Sequence, residues 1–73
     1  MKNILLRQLT AAEFISINNP LANSIFAHYA HTAMSTANLA RIYNYMMASG
    51  INPMHSVGQH LDVLAGAERA YNF

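Results

Sequence analysis

The sequence predicts a mainly α protein, a small bundle of three to four short helices with an extended N-terminal arm. Three observations predict it. Apolar residues recur at spacings of three and four through most of the chain, capping residues (Ser, Thr, Asn) stand in front of those runs, and Pro and Gly fall between them. A chain of 73 residues forms one small core, so residues 1–73 are read as a single helical domain.

The opening nine residues are read as an extended arm. Ile4-Leu5-Leu6 is too short for its period to separate strand from helical turn, and a loose or edge-strand segment is the natural state ahead of a strong helix start. That start is Thr10-Ala11-Ala12-Glu13, a capping box in which the hydroxyl accepts from the N3 amide and the carboxylate reaches back. Leu9 and Phe14 form the apolar staple across it. The first helix is expected at about 11–17, ending where Pro20 disfavours a helical Asn19. Asn19 then caps a second helix with Pro20 at N1, and Leu21, Ala22, Ile25, Phe26, Tyr29, Ala30 and Ala33 extend it to about 34.

Ser35 or Thr36 opens a third helix, about 36–49, whose Leu39, Ile42, Tyr43, Met46 and Met47 make the clearest amphipathic stripe in the chain. Gly50 sits where a left-handed C′ residue belongs, with Ile51 placed to fold back on Met46 as in a Schellman stop. Asn52-Pro53 repeats the earlier Asn-Pro start, and Ser56-Val57-Gly58-Gln59 offers a second capping box. A last helix is expected at about 54–71 with Val57, Leu61, Leu64 and Tyr71 along one side. Gly58 and Gly66 weaken it by about 1 kcal/mol each relative to alanine.

Composition removes several function classes. Four cations against three carboxylates, scattered from Lys2 to Arg69, make no basic stripe, so independent tight binding to nucleic acid is not expected. No cysteine is present, which removes disulfides and thiolate metal sites and fits a reducing compartment, the cytosol being the default expectation. No apolar run approaches the ~20 residues of a membrane span, and the apolar stretch of MKNILLRQL is too short for a signal peptide.

Reactive groups are equally sparse. His28 and His31 stand three apart on the expected second helix, and His55 and His60 lie in or near the last. A metal needs further converging ligands, so these four are read as side chains that decorate helices or bond locally. Serines 16, 24, 35, 49 and 56 come with no nucleophile elbow, phosphate-cradling glycine loop or carboxylate pair, and read as caps or turn residues. Neither an enzyme nor a cofactor is expected.

What remains is contact surface, because hydrophobic residues make up 53% of the chain and a small fold cannot hide them all. Tyr43, Met46 and Met47 fit the inward stripe of the third helix. Tyr45 lies off it, one turn after Arg41, and the two make an expected partner-binding pair of residue types common at hot spots. The arm, through Lys2, Ile4, Leu6 and Arg7, is the preferred docking element, since an extended segment can pair with a partner strand. Ser49 to Leu61 also has some of the marks of a helix-turn-helix, although Met46 stands where a small residue is wanted and no nearby cation would hold phosphate; a small DNA-binding domain of that kind, or a self-associating helical domain, is the alternative reading of the chain.

With its opening MKNILLRQLTAAEFISI, its compact cysteine-free make-up and no site of its own, the chain resembles the small phage-encoded regulators of host RNA polymerase. The resemblance carries no functional residue across. It implies binding to the N-terminal region of the host polymerase β′ subunit near the RNA exit channel, inhibition of host initiation, and antitermination with the elongation factor NusA. RNA would then pass nearby, and the place of action would be the host bacterial cytoplasm.

Overall fold

A computed structural model describes residues 8–73. The protein is mainly helical, and no strand occurs among the described residues. Helix α1 spans Ala11–Ser16, α2 Pro20–His28, α3 Thr36–Ala48, and α4 Leu61–Ala70, the last preceded by a 3₁₀ turn at Val57–His60. Of the expected arm, residues 1–7 lie outside the described residues, and 8–10 precede α1 without regular structure.

The capping box forms as expected: Thr10 N–H donates to Glu13 Oε1 at 3.0 Å and Glu13 N–H donates to Thr10 Oγ1 at 3.2 Å. It sets the entry angle that sends Phe14 into the core, where its ring stacks on Phe26 at 4.8 Å and tilts against Tyr43 at 5.4 Å. Asn19 caps α2 by accepting from Ala22 N–H at 2.9 Å, and its amide donates to the Tyr43 hydroxyl at 3.1 Å. A cap residue is thereby tied to the central helix.

Helix α2 stops at His28, six residues short of the expected end at Met34. The Thr32 hydroxyl and amide both donate to the Tyr29 carbonyl, at 2.8 and 3.1 Å, and Met34 N–H donates to the Thr32 hydroxyl. A side-chain hydroxyl that bonds the local backbone offers an alternative to the helical ladder, and the alternative wins here. Ala30 and Ala33 are left exposed beyond the helix.

Helix α3 is the centre of the bundle, burying Leu39, Ala40, Ile42, Tyr43 and Met46. Its stop is the expected Schellman motif: Gly50 has φ 87°, Ile51 N–H donates to Met46 C=O at 3.1 Å, and Gly50 N–H to Met47 C=O at 3.0 Å. A side chain at that left-handed position would be strained.

The expected helix start at residue 54 is a turn instead. Asn52 bonds Met54 N–H through its side chain and His55 N–H through its carbonyl, each at 2.9 Å. Helix α2 holds this turn from below. Leu21 N–H donates to Pro53 C=O at 3.0 Å and Val57 N–H to the Ser24 hydroxyl at 2.7 Å. The box at Ser56 is the one used, with Gln59 Oε1 accepting from Ser56 N–H at 3.0 Å. Between the 3₁₀ turn and α4, His60 has φ −139° and ψ 48°, which breaks the helical phase. Val57 and Leu61 therefore do not share a face, and Leu61 is exposed, whereas Val57, Leu64 and Ala67 are buried.

Candidate docking face

Two positions on α3 and the end of α4 meet at one edge of the bundle. Arg41 and Tyr45 lie one turn apart on α3, and the Tyr45 ring crosses to α4 where Gly66 leaves room for it. Tyr45 is half-buried, packed against the core, which corrects its expected place as a free surface side chain. Its ring meets Tyr71 edge-on with centroids 6.4 Å apart. The glycine that looked only like a weakness of the last helix is what lets Tyr45 lie there.

Tyr71 is the C-cap of α4, and the chain then makes a second Schellman stop. Phe73 N–H donates to Glu68 C=O at 2.9 Å and Asn72 N–H to Arg69 C=O at 3.3 Å, with Asn72 at φ 59°. Asparagine is, after glycine, the usual residue at such a left-handed stop. The turn does not bury Phe73. It lays the ring on Tyr71 at 5.7 Å and 28° and leaves it 40% exposed.

Arg41 completes the array. Its guanidinium carbon lies 5.9 Å from the Tyr71 ring centroid, a cation–π contact, and the side chain is exposed. Among the described residues no carboxylate pairs with it. Glu68, on the neighbouring helix, instead accepts from the Tyr29 hydroxyl at 2.5 Å. Desolvation, followed by this bond and the carboxylate charge, pushes the Tyr29 phenol well above the ordinary tyrosine range. The result is a ladder of Arg41, Tyr71 and Phe73 with Tyr45 against it, in which the cation and the Phe73 ring are exposed.

The structure thus brings together the two expected partner-binding residues on α3, and it adds Tyr71 and Phe73. Sequence reading assigned Tyr71 to the inner side of the last helix and gave Phe73 no role. The available signal was the Tyr-Asn-Phe tripeptide after a helix, in which Asn can take the left-handed stop and set the two rings together. Lys2, Ile4, Leu6 and Arg7 lie outside the described residues.

Away from this edge, Asn44 grips the segment leading into α1 by both backbone groups of Leu9. Leu9 N–H donates to Asn44 Oδ1 at 2.9 Å, and Asn44 Nδ2 donates to Leu9 C=O at 3.0 Å. A groove of about 260 Å³ adjoins this clamp, walled by Leu9, Ile17, Tyr43 and Met47.

The histidines do not gather. His28 stands edge-on to its neighbour Tyr29, and His31 lies past the end of α2, so the expected shared helical face does not form. His55 Nδ1 and His60 Nε2 are 3.0 Å apart, with ring centroids at 5.2 Å and planes 10° apart. That centroid distance is nearly the N···N contact plus the two ring radii, so the nitrogens point at each other along an N–H···N hydrogen bond. The shared proton and the 3.0 Å separation leave no space for an ion between the two nitrogens. Among the described residues no group of three or more His, Cys, Asp or Glu is placed to hold a metal. Nor is any described helix long and apolar enough to cross a membrane.

No protein-family model matches the chain, and no curated protein or solved structure matches it. The helix-turn-helix alternative meets a geometric obstacle. Residues 49–56 separate α3 from the 3₁₀ turn, where that motif uses about 3–4 residues.

Proposed function

We propose that the chain is a non-catalytic docking module, a phage-encoded transcription regulator that binds host RNA polymerase. In this reading it sits on the N-terminal region of β′ near the RNA exit channel, inhibits host initiation and promotes antitermination together with NusA. The observation that carries a docking role is the Arg41–Tyr71–Phe73 ladder. Two aromatic rings and a guanidinium that no described carboxylate pairs with are packed together at the surface, and Tyr and Arg are among the residue types that dominate interface energetics. The choice of polymerase as partner rests on the resemblance of the chain to small phage regulators.

Purified host polymerase, titrated with fluorescently labelled chain and assayed on a template carrying an intrinsic terminator, tests the reading. Saturable binding with increased read-through in the presence of NusA is expected. Absence of binding to core polymerase and holoenzyme would remove polymerase as the partner.

A further inference from the structure

We infer that the Arg41–Tyr71–Phe73 ladder receives an acidic protein segment, a carboxylate seated on Arg41 beside a planar or apolar side chain laid against Phe73. The inference rests on the docking reading above and deepens it by naming the chemistry of the contact.

Charge complementarity comes first. The Arg41 guanidinium has donors in a planar fork suited to a carboxylate, and it lies 5.9 Å over the Tyr71 ring. No described carboxylate pairs with it, and Glu68 of α4 is engaged by Tyr29. An isolated exposed arginine would be unremarkable. This one is braced by a ring that is itself braced by Tyr45 and Phe73.

The second argument is the placement of Phe73. An exposed ring is placed by a left-handed Asn72, whose Schellman bonds run from Phe73 N–H to Glu68 C=O and from Asn72 N–H to Arg69 C=O. The turn sets that ring against Tyr71 at 5.7 Å and 28°, where a further planar group can pack on it. A single-stranded RNA base could stack there too. Yet the described cations are Arg41 and Arg69 alone, and a nucleic-acid path needs a row of positive charge along the backbone. One cation beside two rings suits one carboxylate beside one ring.

The test uses the ¹⁵N-labelled chain and three probes: acetyl-Asp-Glu-Phe-Glu-Asp amide, its neutral counterpart acetyl-Asn-Gln-Phe-Gln-Asn amide, and oligouridylate. The acidic peptide should shift the Arg41 Nε–H and the Tyr71 and Phe73 amides. Its affinity should exceed that of the neutral peptide about tenfold, and Arg41→Gln should erase the difference while helix content stays unchanged. Equal responses to the two peptides, stronger shifts with oligouridylate, or no response at these residues would each overturn the inference. The two readings fail separately. A chain that binds the acidic peptide but not polymerase loses the polymerase assignment only, whereas polymerase binding indifferent to Arg41→Gln sinks the acidic contact only.

Discussion

A methyl group added to Gly66 would stand 3.0 Å from the Tyr45 hydroxyl oxygen. The docking edge depends on this approach, since Tyr45 reaches Tyr71 only by lying across the glycine, and Tyr71 carries both Arg41 and Phe73.

Gly66→Ala therefore sets two effects against each other. Alanine favours the helix by about 1 kcal/mol, and the clash must move the Tyr45 ring. Net stability should change by less than about 1 kcal/mol, while the ring-current shifts linking Tyr45 to Tyr71 change as the hydroxyl end gives way. Thermal unfolding together with aromatic NMR checks this. Unchanged ring shifts would mean that Tyr45 does not need the gap.

Asn44→Ala removes both partners of the Leu9 backbone. Leaving a half-buried amide and carbonyl unpaired should cost about 1 kcal/mol, the low end for such groups, and should speed hydrogen exchange at Leu9. Urea unfolding and exchange at Leu9 measure the two effects, and slow exchange in the variant would show that something other than Asn44 holds the segment.

The Tyr29–Glu68 bond gives a pH dependence at the alkaline end. The folded phenol holds its proton more tightly than the unfolded one. Its contribution to stability is therefore complete below the ordinary tyrosine value of ~10 and is lost as pH rises towards the higher folded value. Tyr29→Phe should lower stability at neutral pH by about 1.5–2 kcal/mol, the lower part of the range for a bond to a charged group, and should flatten the alkaline slope. Chemical denaturation from neutral to alkaline pH reads both, and an unchanged slope in the variant would assign the loss to another group.

The His55–His60 contact ties the turn at Asn52 to the start of α4. His60→Ala should break that N–H···N bond and cost about 0.5–1.5 kcal/mol, read by urea unfolding at neutral pH. Unchanged stability, with no change in the amide signals of Met54 and Leu61, would count against the coupling.

Much of the fold was legible because it is written locally. Thr10 and Glu13, Asn19 with Pro20, and Gly50 with Ile51 each form a cap whose partners lie within a few residues, so spacing alone identifies them. The errors arose where distant or competing bonds decide. Helix α2 ends early because Thr32 bonds the Tyr29 carbonyl, and Asn52-Pro53 becomes a turn because Leu21 and Ser24 of α2 hold it. The docking edge was half legible. Arg41 and Tyr45 follow from helical spacing, but Tyr71 joins them only through the packing of α4 on α3, and Phe73 only through a left-handed Asn72.

Mapping amide and ring shifts of the labelled chain on addition of purified host polymerase tests the central claim most directly. The account predicts that Arg41, Tyr45, Tyr71 and Phe73 change together on binding. A bound complex in which these four keep their free-state signals would contradict it.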